Sequence, residues 1–178
     1  GLENVSSLAI GRDHACAALT DGSVYCWGAN QFFQLGTTTP DNLAAISPLK
    51  INSLRNVISV SAGASTTCAL TDAGAVYCWG SSLRDTSVGM ERSIWRVPTK
   101  IVGIPKIAAL SVGDLHSCVI GVDGAVYCWG SNSFGQLGFE TRAVQDLDPI
   151  KVKGLDGMTA VSSGSFHTCA LSKAGSAY

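Results

Sequence analysis

Residues 16–27 read CAALTDGSVYCW, and near copies return at 68–79 (CALTDAGAVYCW) and 118–129 (CVIGVDGAVYCW). Each copy holds two cysteines ten residues apart, with a glycine six places after the first: Gly22, Gly74 and Gly124. A fourth, partial copy runs from Cys169 and carries Gly175 at the same place. Such a stretch reads as a β-hairpin whose loop is three residues, Thr20 to Gly22 in the first copy. The last loop residue then takes the left-handed backbone region, which glycine enters without a Cβ clash. Pairing outward from that loop sets Cys16 directly across from Cys26. The alternation makes this a non-hydrogen-bonded site, where facing Cα atoms come within about 4.5 Å, a separation that a disulfide spans. The register predicts bridges Cys16–Cys26, Cys68–Cys78 and Cys118–Cys128. Each closes a short loop, so chain entropy credits it with about 2–3 kcal/mol at most.

The hairpin is one part of a longer repeat. The leading cysteines stand at 16, 68, 118 and 169, steps of 52, 50 and 51 residues. Gly11, Gly63, Gly113 and Gly164 keep the same step, as do the pairs Trp27-Gly28, Trp79-Gly80 and Trp129-Gly130. Pro48, Pro98 and Pro149 each precede a lysine by two places. A period near 50 is too long for helix-pair repeats and fits blades of about four short strands. The segments within a unit agree: one after the proline (Leu49 to Ile51), one such as VISVSAG at 57–63, the Cys-Ala-Leu segment and the Val-Tyr-Cys-Trp-Gly segment. All are short, β-branched or aromatic, and bounded by Gly, Asn, Asp or Pro. No apolar i, i+3, i+4, i+7 pattern lasts long enough for a helix. The expected fold is therefore all-β, a β-propeller of four-stranded blades, with units at approximately 1–36, 37–89, 90–138 and 139–178. In this reading the Pro-x-Lys strand opens each unit after the first and the proline heads it, where its missing N–H does least harm.

The fourth unit reaches Tyr178, one residue short of where Cys169 would meet its partner. About three and a half units do not close a ring, and an open end exposes strand edges and an apolar face. The expectation is a segment of a longer chain, with Cys169 unpaired within these 178 residues.

Composition narrows the function classes. Twelve Lys and Arg against thirteen Asp and Glu leave a formal net charge of −1, so the basic footprint that nucleic acid requires is missing. No run approaches the roughly 18 apolar residues of a membrane span. Zinc is a rival reading of the cysteines, because His14, His116 and His167 each precede a cysteine by two residues. Thr66 breaks that pattern in the second unit, and cysteines on facing strands are not the close pairs of a zinc ribbon. No metal and no cofactor is expected. Histidines that recur with the repeat point to structural duty, a ring at a strand start bonding or packing over the next blade. No nucleophile, base and acid converge in the sequence, and no Gly-rich phosphate loop leads from strand to helix. No catalytic residue is assigned.

The pattern running from Gly113 to Gly138, G-x-x-H-x-C, then G-x-V-Y-C-W-G-x-N-x-x-G-Q-L-G, resembles the repeat of the regulator of chromosome condensation family. Phe33 replaces a motif glycine in the first unit, and SSLRDTSVG from Ser81 departs from the motif altogether. The resemblance implies a seven-bladed propeller, of which this chain would supply about half. Its cysteines resemble those of secreted or cell-surface relatives rather than nuclear ones. Members of the family include a nucleotide-exchange factor for a small nuclear GTPase, a plant ultraviolet photoreceptor and secreted inhibitors of β-lactamase, which share recognition of another macromolecule by loops on a rigid disc.

These readings converge on a secreted or cell-surface, non-catalytic module that binds another protein, or the remainder of its own propeller, and can assemble into a larger structure. The alternatives are a nucleotide-exchange or chromatin-associated propeller and a secreted enzyme or enzyme inhibitor. A binding surface is expected where the units differ. Residues 81–96 gather Arg84, Met90, Arg92, Trp95 and Arg96, and Trp and Arg are the types most enriched at binding hot spots. The stretches TTTPDNLAAIS after Gly36 and FETRAVQDLD after Gly138 come second. One sequon, Asn4-Val5-Ser6, is an acceptor for glycan where the source glycosylates.

Overall fold

The computed structural model describes residues 1–37, 44–81, 94–140 and 145–178, without the side chains of 94 and 145–147. Every regular element among them is a strand. The chain divides into two compact units, Gly1–Ile101 and Val102–Tyr178. The first holds two four-stranded antiparallel sheets: β1 (Val5–Ile10), β2 (His14–Leu19), β3 (Val24–Gly28) and β4 (Ala45–Lys50), then β5 (Val57–Ala62), β6 (Thr66–Thr71), β7 (Val76–Ser81) and β8 (Ile94–Lys100). The second holds β9 (Ile107–Val112), β10 (His116–Gly121), β11 (Val126–Ser131) and β12 (Gln145–Lys151), followed by a pair, β13 (Met158–Ser163) and β14 (Thr168–Ser172). Within each sheet the strands are neighbours in chain order.

The hairpins have the expected loop. Leu19 and Ser23 close the first one, with the Leu19 N–H donating to the Ser23 carbonyl at 2.9 Å, and Gly22 takes a φ of 78°. Gly74, Gly124 and Gly175 repeat it at 79°, 80° and 85°. From that closure the ladder runs Ala18↔Val24, Ala17↔Tyr25, Cys16↔Cys26. All three bridges form, with Cα separations of 4.1, 4.1 and 4.2 Å. Cys169 on β14 is exposed and carries no bridge.

The proline strand differs from the sequence reading in two ways. It does not open a unit but closes the preceding sheet: β4 pairs with β3, β8 with β7 and β12 with β11. Nor does the proline head its strand, because Pro48 is the fourth residue of β4. It is tolerated there for two reasons. β4 is an edge strand, and its ladder skips between Cys26↔Leu49 and Gly28↔Ala45, so Pro48 falls where no ladder bond is required.

Alternation along β2 decides how the sheets pack. His14, Cys16 and Ala18 share one face, and it lies against the next sheet of the same unit. The core there joins Cys16, Ala18, Val24, Cys26, Leu35, Ile51 and Leu54 of the first sheet to Val57, Val60, Ala69 and Trp79 of the second. The second unit repeats it with Cys118, Ile120, Val126, Cys128, Leu137 and Val152 against Met158 and Ala170. The bridges Cys16–Cys26 and Cys118–Cys128 are therefore buried between sheets: Cys16 and Cys26 are both 0% exposed. Trp79 is also fully buried. An aromatic side chain hides roughly 150–250 Å², a gross burial of about 4–6 kcal/mol at 25 cal/mol per Å², more than one bridge contributes.

Backbone bonds tie the sheets at regular points. The Val57 N–H donates to the carbonyl of the hairpin glycine Gly22 at 3.1 Å, and the Val60 N–H to the Ser7 hydroxyl oxygen at 3.1 Å. In the second unit Met158 donates to Gly124 at 2.9 Å and Ser163 to the Ser111 hydroxyl oxygen at 2.8 Å.

The bridges reinforce sheets that already pack. Replacing both Cys68 and Cys78 by alanine is expected to lower stability by about 2–3 kcal/mol without unfolding the chain, read as a fall in urea midpoint. Mass spectrometry before and after reduction is expected to gain two hydrogens per bridge.

Candidate functional site

His14 and His116 carry the most strongly perturbed chemistry among the described residues. Each stands at the start of a second strand, with a glycine three places earlier on which the imidazole lies. A Cβ on Gly11 would come within 2.2 Å of the His14 ring, and one on Gly113 within 2.6 Å of His116. His14 Nε2 is 2.7 Å from the Thr67 hydroxyl of the neighbouring sheet, and Thr67 Oγ1 donates to the Gln34 carbonyl at 3.1 Å. Since the threonine proton is used on that carbonyl, its oxygen accepts from His14 Nε2–H. The ring is thus neutral, with its Nδ1 buried and lacking a hydrogen-bond partner. His116, Thr168 and Gln136 repeat the relay at 2.8 and 2.8 Å, again with an unpartnered Nδ1.

Burial lowers the His14 pKa to about 4, against a smaller opposing pull from Asp13. Burial likewise brings His116 to about 4, helped by nearby His167 and opposed by Asp114. Such rings are poor general bases at neutral pH and are committed on Nε2. They are clasps between sheets. The residue at this place in the second sheet, Thr66, instead donates to the Ser81 carbonyl of its own sheet at 2.8 Å.

The glutamine of each relay belongs to a tight turn after the third strand. In the first, Asn30 Oδ1 accepts from the Leu35 N–H at 3.1 Å and Gln34 Oε1 from the Phe32 N–H at 2.9 Å. Asn132 and Gln136 do the same for Leu137 and Phe134, each at 2.9 Å. Phe33, which replaces the motif glycine, is held at a φ of 61°, against 78° for Gly135 in the other turn. The left-handed region costs a non-glycine residue roughly 1–2 kcal/mol. Its ring is buried at 8% exposure, and the Arg96 guanidinium lies over it at 4.5 Å from the ring centre.

Of the expected binding residues, Arg84, Met90 and Arg92 lie outside the described residues. Trp95 and Arg96 are neighbours on β8 and so point to opposite faces. Trp95 is half-buried and packs on the core of the first unit, while Arg96 is exposed apart from its contact with Phe33. Sequence reasoning missed an exposed aromatic pair in the second unit: Phe134, 72% exposed, and Phe166, 44% exposed, with ring centres 5.0 Å apart. The signal was there, because Phe166 precedes its histidine where the first two units carry Asp13 and Ser65. Beside this pair opens a cavity of about 260 Å³ lined by Val126, Cys128, Gln136, Leu137, Val152 and Leu155. Among the described residues no group of three or more His, Cys, Asp or Glu could hold a metal, and no helix is long and apolar enough to cross a membrane.

Stacked four-stranded antiparallel sheets, clasped by a glycine-backed histidine and a Trp-Gly, Gln-Leu-Gly turn, define a β-propeller built from repeats of about 51 residues. The chain belongs to the regulator of chromosome condensation (RCC1) repeat family, whose repeat matches residues 21–70 and 123–171, and in a second form 5–34, 57–84 and 107–136. The chain is similar to the Bos taurus secretion-regulating guanine nucleotide exchange factor, 40% identical over 87 residues, which are 45% of this chain and 19% of that protein. Among solved structures it superposes on Saccharomyces cerevisiae Prp20p, with a TM-score of 0.83 at 23% identity, covering 96% of this chain and 44% of that one. The ectodomain of the Physcomitrella patens receptor kinase CR4 matches with a TM-score of 0.51 at 25% identity, over 93% of this chain and 37% of the ectodomain. The chain thus spans less than half the length of these relatives.

The two clasps impose a pH dependence of definite sign. An unfolded histidine takes a proton below about pH 6.5, whereas the folded rings resist until about 4. Between those values the unfolded chain binds more protons, so stability falls as pH drops from about 6.5 to 4, by up to about 3 kcal/mol per ring. Urea midpoints measured across this range are expected to fall less steeply in His14→Gln, which retains a donor toward Thr67 but does not titrate.

Proposed function

We propose that the chain is an exported, non-catalytic propeller module that binds another protein through the surfaces where its repeats differ. The observation that carries this is the set of three in-register disulfides, each of them buried. Bridges of this kind persist in oxidising compartments and are rare in the cytosol and nucleus. The likeness to a receptor-kinase ectodomain is in keeping with it. Relatives of the fold are described as binding proteins: yeast Prp20p for its binding properties to Gsp1p and histones, and with Kap60 bound to it. The contact surface we assign is that of the first unit, with Arg84, Met90, Arg92, Trp95 and Arg96; the second unit, taken by itself, offers the exposed pair Phe134 and Phe166. Arg96 over Phe33 offers a planar cation already held in place, so less side-chain freedom is lost on docking. The same polypeptide that continues a ring of blades would be a partner of the same chemical kind.

A second reading, guanine-nucleotide exchange, is favoured by the name and 40% identity of the bovine relative. The two readings separate in one experiment on the protein in its source tissue. Alkylation of free thiols before lysis, followed by reduction and mass spectrometry, is expected to find Cys16, Cys26, Cys68, Cys78, Cys118 and Cys128 protected. Free thiols at these six positions, together with accelerated release of labelled guanine nucleotide from a small GTPase, would replace the proposal by the exchange reading. Once a partner is in hand, Arg96→Ala is expected to weaken its binding about tenfold or more, as hot-spot arginines do, while leaving the urea midpoint nearly unchanged.

A further inference from the structure

In an Asp-Gly pair the aspartate carboxyl can condense with the next backbone nitrogen, because glycine has no Cβ to crowd the five-membered ring that results. The chain carries the pair three times: Asp21-Gly22, Asp123-Gly124 and Asp156-Gly157. The fold treats the three differently.

The first two lie in hairpin loops, where both reacting groups are engaged. The Gly22 N–H donates to the Leu19 carbonyl and the Gly124 N–H to the Gly121 carbonyl, each at 2.9 Å. Asp21 Oδ1 accepts from the Ser23 N–H at 2.9 Å and the Ser23 hydroxyl at 2.6 Å, and Asp123 Oδ1 accepts from the Ala125 N–H at 3.1 Å. These loops must open before the nitrogen can react, at the free-energy cost of local unfolding.

Asp156-Gly157 stands in the connection between β12 and β13, where neither group is held in this way. Both residues are exposed. Among the described residues the Gly157 N–H has no hydrogen-bond acceptor, and a Cβ on Gly157 would meet nothing within 4 Å. The Asp156 carboxylate pairs with Lys151 Nζ at 3.0 Å, but both side chains are at least half exposed, and an ion pair of that kind restrains weakly. Arg55-Asn56 and Pro105-Lys106, at the same two places before β5 and β9, are exposed too. Openness is thus common to these connections, and this one places Asp-Gly in it.

We propose that Asp156-Gly157 is a site of isoaspartate formation in the folded protein, a covalent modification that loosens the tie between the third sheet and the β13–β14 pair. The Gly157 nitrogen attacks Cγ of the protonated Asp156 carboxyl; a C–N bond forms, a C–O bond breaks, and the hydroxyl leaves with the amide proton as water. Water then adds to the Asp156 backbone carbonyl carbon of the succinimide, and the bond from that carbon to the Gly157 nitrogen breaks. The chain now continues through Cγ, and the former backbone carbonyl is a free carboxylate. One water is released and one consumed, with no oxidant or reductant. The backbone gains one carbon between Leu155, which packs on the core of the second unit, and Met158, whose N–H donates to the Gly124 carbonyl at 2.9 Å. The fit there is close, since a Cβ on Gly124 would lie 2.8 Å from Gly157 Cα. The Gly157 carbonyl, which accepts the Lys173 N–H at 3.1 Å, shifts as well.

The test incubates the oxidised 178-residue chain for several weeks at neutral pH and body temperature. Isoaspartate is located by electron-transfer fragmentation of its peptides, and its total is counted by methyl transfer from S-adenosylmethionine with an isoaspartate carboxyl methyltransferase. Asp156 is expected to convert at least about tenfold faster than Asp21 or Asp123, whose loops must first open, and the three are expected to convert at comparable rates in urea. Asp156→Glu keeps a carboxylate toward Lys151 but would have to close a six-membered ring, and is expected to lose most of the methyl signal. Conversion at Asp156 no faster than at the other two in the folded chain would overturn the site, as would a methyl signal that Asp156→Glu leaves unchanged. A lead that persists undiminished in urea would overturn the structural cause. The loosening is read separately: the isoaspartyl chain, isolated by chromatography, is expected to have a lower urea midpoint than the unmodified chain, and an equal midpoint would overturn that part.

Discussion

A left-handed glycine three residues into each hairpin loop sets everything downstream of it. Gly22 closes the turn on Leu19 and Ser23, and because strand side chains alternate, that one closure assigns every residue of β2 and β3 to a face. Cys16 then meets Cys26, and His14, Cys16 and Ala18 turn together toward the next sheet. A loop one residue longer or shorter would slip the register and send the bridge, the clasp and the core face to the wrong side. The glycine has a second duty, since its carbonyl receives the first N–H of the next sheet. A Cβ on Gly22 would meet Asn56 Cα at 2.6 Å.

Two kinds of cross-link act at different levels. The disulfide joins neighbouring strands of one sheet and constrains mainly the unfolded chain. The histidine-threonine-carbonyl relay and the buried tryptophan join one sheet to the next. Burial of the indole outweighs a bridge in gross magnitude, so stacking of sheets depends chiefly on apolar packing. The relay adds direction: Nε2–H, hydroxyl and carbonyl admit one order of donors and acceptors, and a neutral ring satisfies it. Burying two such rings neutral makes acid, rather than base, the condition that loosens the stack.

The proposed binding role rests on departures from the repeat. Where the units agree, their side chains are used up in clasps and cores, and the histidines that invite a catalytic or metal reading are held by a hydroxyl at 2.7–2.8 Å. Where they differ, groups are left at the surface: Arg96 on Phe33, and Phe134 against Phe166. Phe33 shows the trade within one residue. It accepts left-handed strain that Gly135 avoids, and its ring becomes the platform for a guanidinium.

The repeat, the strand content, the hairpin loop, the cysteine pairing and the family resemblance were legible in the sequence because each depends on contacts within ten or so residues. Local sterics of glycine and the two-residue period of a strand are sufficient for them. Grouping of strands was not legible. The Pro-x-Lys strand reads as the start of a unit, yet it adds to the sheet before it, because pairing follows the open edge of β3 and not the order of motifs. Nor could spacing tell that Thr67 stands between His14 and the Gln34 carbonyl, that Trp95 is half-buried while Arg96 is exposed, or that a cavity walls itself around the Gln136 carbonyl. Those depend on residues 32 to 53 positions apart being brought within bonding distance, which only the stacking of one sheet on another decides.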